Sequence, residues 1–314
     1  MGLPSLLFGF CDDIEISATA GFALSSLTWQ EEGDPQIEAF KKARWSPIHS
    51  PVVGVKVDAY PFSFKGNESF FACFSIRGEA NFLLDSLSNG FSAGYTENRK
   101  SIVFHPQHSE KGSVWGSDLS LALCDGGYRC LPILIGYQRQ SLHFQKPIGD
   151  MESRDLGSEE VRTFHVDQLF YHLKCNSLWV GIEPDYCLNN VWKVFGLFAL
   201  YAGNYTGEAS WKADKVIVDN FRFNYLSKIE QKGVLCGIRA NIGMECLLSE
   251  EIKFGAKLQG SFFESLKSQA DTAIHQTIYS PSGQNLGMAL LKGYNNYHLR
   301  LCSYSVHFYF GRQF

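Results

Sequence analysis

The chain has 314 residues, a formal net charge of −4, 45% hydrophobic and 14% aromatic residues, and a slightly negative mean hydropathy. The charge excludes a nucleic-acid binder, because phosphate contacts need a basic surface. No apolar run reaches the roughly 18 residues of a membrane-spanning helix, which excludes an α-helical membrane protein.

An apolar stretch, Leu3-Pro4-Ser5-Leu6-Leu7-Phe8-Gly9-Phe10, opens the chain without a basic n-region, and residues 1–12 are read as a residual export signal. Cys11 follows Phe10, where a lipidation box wants a small residue, and Leu6 stands where a myristoylation motif needs Ser or Thr. Residues 13–314 read as one domain of strands in which apolar residues recur at every second position. The first carries Ile14, Ile16, Ala18, Ala20, Phe22 and Leu24, and the second, over 51–60, Val53, Val55, Val57 and Ala59. The third sets Phe70, Ala72, Phe74, Ile76, Ala80 and Phe82 against Arg77, Glu79 and Asn81, which a dry core rarely accepts unpaired.

The fourth strand, with Leu119, Leu121 and Leu123, turns at Asp125-Gly126-Gly127 into the fifth, with Leu131, Ile133, Ile135 and Tyr137. The sixth runs through Leu178, Val180 and Ile182, and the seventh from Val191 to Tyr201, joined near Leu188-Asn189-Asn190. The eighth sets Val234, Cys236, Ile238, Ala240, Ile242 and Met244 against Arg239, Asn241 and Glu245. After a turn at Ser249-Glu250 the ninth sets Ile252, Phe254, Ala256, Leu258 and Phe262 against Lys253, Lys257 and Gln259. In the tenth, from about 294, Tyr304, Val306, Phe308 and Phe310 alternate with Ser303, Ser305, His307 and Tyr309, and Phe314 is last.

Links near 61–68, 125–127, 185–190 and 248–251 are short, whereas those near 30–47, 85–112, 145–163, 204–218 and 264–293 are long and polar. This strict alternation is the asymmetry of a membrane barrel with tight turns on one side and extended loops on the other. In such a barrel the apolar face meets lipid and the polar face lines the lumen. Arg77, Glu79, Asn81, Arg239, Asn241, Glu245, Lys253, Lys257 and Gln259 are therefore expected to project inward, either pairing across and filling the lumen or tuning a small pore.

Val306, Phe308, Phe310 and the terminal Phe314 resemble the assembly signal of bacterial outer-membrane β-barrels. That resemblance implies the outer membrane as location, its lipid as solvent and the barrel-assembly machinery as a partner of the last strand. Ten strands with five long surface loops also resemble the layout of the omptin family, with a local echo in Gly136-Tyr137-Gln138 followed by Ser141 and Phe144. The expected fold is thus all-β, a closed antiparallel transmembrane barrel of about ten strands.

Omptins activate a water between an Asp pair at the second surface loop and an Asp–His pair at the fourth. This chain offers Asp85 alone at the second, and Glu208, Asp214 and Asp219 without a histidine at the fourth. Lacking an imidazole to serve as base, it is read as non-enzymatic, a surface or structural protein or a narrow pore. The alternative is an omptin-like endopeptidase with a degenerate site, using His105 or His108 near Glu208 or Asp214.

Nine cysteines are unusual for such a barrel, and together with the architecture they make the chain resemble chlamydial outer-membrane proteins of the Protochlamydia type. The resemblance implies disulfide-linked envelope proteins as partners. Cys124 and Cys130, flanking one turn, are the candidate internal disulfide, while Cys236 and Cys246 share a face with Val234 and Ile238 and read as buried or lipid-facing thiols. No paired CxxC spacing suggests a metal, and no cofactor is expected. Trp29, Trp45 and Trp211 read as interface girdle or loop packing, and Gly203-Asn204 as a turn.

Overall fold

The computed structural model describes residues 13–32, 40–60, 75–95, 101–105, 110–123, 133–146, 149–155, 161–218, 221–249 and 251–314. Among them are thirteen strands: β1 (Asp13–Glu32), β2 (Phe40–Tyr60), β3 (Ser75–Tyr95), β4 (Ser101–His105), β5 (Glu110–Leu123), β6 (Ile133–Lys146), β7 (Gly149–Asp155), β8 (Val161–Ile182), β9 (Asp185–Cys187), β10 (Trp192–Val218), β11 (Phe221–Leu247), β12 (Ile252–Tyr279) and β13 (Asn285–Gln313). They form one curled antiparallel sheet. Its long ladders run β5–β3–β2–β1–β13–β12–β11–β10–β8–β6, and β6 pairs in turn with β5. Short β9 pairs with the start of β10. Beyond the ends of β5 and β6, β4 and β7 carry the sheet on, β4 between β3 and β7, and β7 against β8.

Which residues face outward follows from strand parity, and which of those are apolar changes along each strand. On β13 Tyr304, Val306, Phe308 and Phe310 are exposed and His307 is buried. Toward the start of the same strand Asn296 and Arg300 are exposed, and Tyr297, Leu299 and Leu301 are buried. The inward face keeps odd numbering throughout, so the pleat does not slip; only the chemistry of the two faces is exchanged. β8 repeats the exchange, with Leu178, Val180 and Ile182 outward near its end but Lys174 and Asn176 outward over buried Tyr171, Leu173 and Cys175 higher up. β11 does so too, passing from exposed Lys228, Glu230 and Lys232 to exposed Val234, Ile238, Ile242 and Met244. The outer solvent is lipid at one end of the sheet and water at the other.

The height of the apolar band fits a bilayer. Val234 to Met244 spans ten residue steps, which at about 3.3 Å per residue and a tilt of about 40° rises about 25 Å. β12 and β13, of 28 and 29 residues, are nearly three times the length that a spanning strand of about 9–11 residues requires.

Several expected boundaries are corrected by this. Segments 204–218 and most of 264–293 are strand, not loop: β10 continues to Val218, β12 to Tyr279, and β13 begins at Asn285. Gly203-Asn204 lies inside β10 rather than at a turn. A Cβ on Gly203 would come within 2.1 Å of the Asn176 carbonyl oxygen and 2.5 Å of Ser177 Cα, so the glycine permits close approach of β8. Against the about ten strands expected, the described residues hold thirteen, of which β4, β7 and β9 are short.

The short links are closed by local hydrogen bonds. Asn189 Oδ1 accepts from the Val191 and Trp192 amides, both at 2.8 Å, and Ser249 Oγ accepts from Ile252 N at 3.1 Å. The β12–β13 turn over Ser280–Gln284 places Gly283 at φ +86°, a region open to glycine. The Asp125-Gly126-Gly127 turn and the 61–68 link lie outside the described residues.

Candidate functional site: the packed lumen

Three tiers of inward side chains fill the described part of the curled sheet. At the short-turn end is an ionic cluster. Lys56 Nζ lies 2.7 Å from Asp58 Oδ2, and Arg77 reaches Asp58 Oδ1 at 3.3 Å while its other end contacts Glu183. Lys253 contacts Glu15 and lies 3.3 Å from Glu245, which also accepts a 3.0 Å hydrogen bond from the Tyr309 hydroxyl. Register explains the grouping: Glu15 stands opposite Asp58, and Asp58 opposite Arg77, on three consecutive strands. Lys193 and Asp185, 2.5 Å apart, close the cluster at its rim.

Polar residues of the second tier rise toward an aromatic and aliphatic third. Arg239 is buried with its guanidinium 5.0 Å from the Tyr201 ring. Tyr201 stacks on Trp179 at 5.8 Å and meets Phe263 edge-on at 5.3 Å. Above them Leu27, Ile48, Leu142, Leu173, Leu235, Leu299 and Leu301 are at most 2% exposed, forming one continuous cluster drawn from six strands. Small inward residues make room for it: a Cβ on Gly136 would lie 2.4 Å from the Trp179 ring, and one on Gly237 2.4 Å from Phe263.

The expected lumen residues divide accordingly. Arg77, Glu245 and Lys253 meet in the ionic cluster, and Arg239 lies beneath Tyr201. Asn241, Lys257 and Gln259 share the inward row, Lys257 level with His307 and Gln259 with both Asn241 and Ser305. The backbones of Glu79 and Asn81 pair with Lys56 and Gly54, and their side chains lie outside the described set. Sequence reasoning missed the apolar layer. Leu27, Leu173 and Leu299 alternate with polar neighbours as in a soluble strand, a signal that sits just beyond the lipid-facing runs.

Other candidates resolve as follows. Val306, Phe308 and Phe310 are exposed on the lipid face, and Phe314 pairs through its amide with the Ile14 carbonyl at 2.8 Å. Trp29 is not in a girdle: it is buried against Tyr297 at 5.3 Å, inside the sheet. Cys236 and Cys246 do share the outward face, and Cys175, Cys187, Cys236, Cys246 and Cys302 are free thiols. Cys124, Cys130 and His108 lie outside the described residues, as does the side chain of His105. Glu208 is on the outer face, opposite His172 on β8 and Glu230 on β11, and 3.5 Å from Lys228.

An antiparallel sheet curled around a packed interior, with a lipid-height apolar band outside, defines an outer-membrane β-barrel protein. The model of the Protochlamydia outer membrane protein family, Pom, matches residues 19–314, and the chain belongs to that family. Among solved structures it is similar to the outer membrane protease OmpT from Escherichia coli, with a TM-score of 0.60 at 11% identity over 96% of this chain and 97% of that one. It also matches the translocator domain of the autotransporter NalP from Neisseria meningitidis (TM-score 0.30, 10% identity, 95% and 88% coverage). A third match is the toluene transporter TodX of P. putida (TM-score 0.24, 8% identity, 100% and 93% coverage). The first likeness shows a shared fold, and the other two are too distant to carry an argument. No curated protein matches the chain.

Proposed function

We propose that this protein is a closed ten-stranded barrel with a sealed lumen, acting as a non-enzymatic scaffold that raises a β-wall above the outer membrane. The observation that carries this reading is the apolar layer across the lumen, where Leu27, Leu173 and Leu299 are no more than 1% exposed. Closure is supported by the β1–β13 ladder, continuous from Glu15↔Gln313 to Glu32↔Asn296. The ionic cluster beneath the layer further supports a plug, because its carboxylates and cations are satisfied by one another rather than held out to a passing ion. A non-catalytic role is supported by Glu208, whose outward position takes it away from any group gathered at the lumen mouth. The exposed apolar alternation of β13 is the surface through which the barrel-assembly machinery would receive the strand.

The test loads liposomes carrying the refolded protein with a small anionic dye and, separately, incubates them with a library of fluorogenic peptides. Retention of the dye and intact peptides are expected. Dye release at a rate proportional to protein would remove the sealed lumen, and peptide cleavage abolished by His105→Ala or His108→Ala would remove the non-enzymatic reading.

A further inference from the structure

The β12 strand carries a defect where it leaves the lipid band. Val234 of β11 faces Lys267, but the next pair is Leu235 with Ser265, so Leu266 is an extra residue that bulges outward. The ladder to β13 breaks there as well, stopping at Glu264↔Arg300 and resuming at Gln269↔Asn296. Two serines hold the gap together. Ser265 Oγ accepts from the Leu299 amide at 2.7 Å, and the Ser268 hydroxyl donates to the Tyr297 carbonyl.

A cavity of about 670 Å³ occupies this defect, within the range that holds one small molecule. Its lining comes from both faces of the wall: Tyr205, Tyr297, Ser265 and Ser268 are buried inward residues, whereas Lys232 and Lys267 are exposed outward ones. The cleft thus enters the wall rather than lying on it. No carboxylate lines it among the described residues. Glu264 is engaged with Arg300 at 2.7 Å and His298 at 2.8 Å and Glu230 with Lys228 at 2.6 Å, while Glu208, Glu230 and Asp271 line a second pocket that Lys232 also borders. Among the described residues neither Lys232 nor Lys267 has an acidic partner. The cleft opens beside Val234, at the upper edge of the apolar band, which is the height at which lipid heads meet lipid chains.

We propose that this cleft binds a single-chain anionic amphiphile, its head between Lys232 and Lys267 and its chain running through the wall defect onto the Tyr205 and Tyr297 rings. Two unengaged cations select the anion, and the two buried rings select an apolar body. The inference stands apart from the sealed lumen, since a conducting barrel with the same cleft would bind the ligand equally.

The probe is palmitate, added to the folded protein in uncharged maltoside micelles and read as retained adducts by native mass spectrometry. One palmitate per barrel is expected. The Lys232→Gln/Lys267→Gln variant should retain it about tenfold less well, while Lys228→Gln, an exposed lysine outside the cleft, should retain it as the parent does. Heat-modifiable gel mobility reports that each variant is folded. Equal retention by the double variant, or hexadecanol held as firmly as palmitate, would overturn the proposal. Displacement of palmitate by millimolar inorganic phosphate would assign the lysines to free anions and overturn it equally.

Discussion

A single charge moved along one face of β13 measures where lipid ends. Phe308 is 52% exposed and Met288 73% exposed, both on the outward row, yet the first lies in the apolar band and the second about twenty residues above it. Arginine at a lipid-facing position near the midplane costs about 2–4 kcal/mol, whereas a surface position in water tolerates such a change within about 0.5 kcal/mol. With a urea dependence of about 3 kcal/mol per molar, Phe308→Arg should lower the unfolding midpoint by about 1 M and Met288→Arg should leave it in place. The assay is urea titration of the protein folded into phosphatidylcholine vesicles, following the heat-modifiable gel shift. Equal costs at the two positions would refute the assignment of lipid to one end of the strand and water to the other.

Three further outcomes follow from named contacts. Lys253→Met leaves Glu15 and Glu245 without their shared cation in a half-buried site and should cost about 3–5 kcal/mol in the same titration; a loss under about 1 kcal/mol would show that the cluster is solvated. On the outer wall His172 is held below the ordinary histidine range by burial first and then by Lys174, with Glu208 opposing. Because the folded form resists the proton, its contribution to stability is intact above the unfolded pKa of about 6.5 and erodes as pH falls below it. His172→Gln should therefore flatten the stability profile between about pH 6.5 and 5, and an NMR titration of His172 with a midpoint above 6.5 would contradict this. Maleimide should label exposed Cys187 rapidly in the folded protein and spare buried Cys175 until urea is added, with early labelling of Cys175 the adverse result.

The barrel class was legible because lipid on the outside turns ordinary strand alternation inside out. Phe308 and Val306 on the same face as one another, opposite Ser305 and His307, announce that face plainly. The strand extensions were not legible for the same reason. Above the membrane the outward residues are Lys174, Lys232 and Arg300, so the runs that mark a spanning strand stop there and the remainder resembles loop. The ionic cluster was half visible: Arg77, Glu245 and Lys253 could be placed inward by parity, but their partners Asp58, Glu15 and Glu183 depend on register between strands. The β12 bulge left no local signal, since Leu266 between two polar neighbours fits either an extra residue or a normal alternation.

The sealed lumen is tested most directly by single-channel recording after insertion into a planar bilayer, comparing the parent with Tyr201→Ala/Phe263→Ala. The parent should insert silently, and the double variant, which removes the two rings in edge contact at the centre of the layer, should give stepwise currents. Stepwise currents from the parent, with an ion preference shifted by Arg77→Ala or Lys257→Ala, would contradict the account and make the protein a pore.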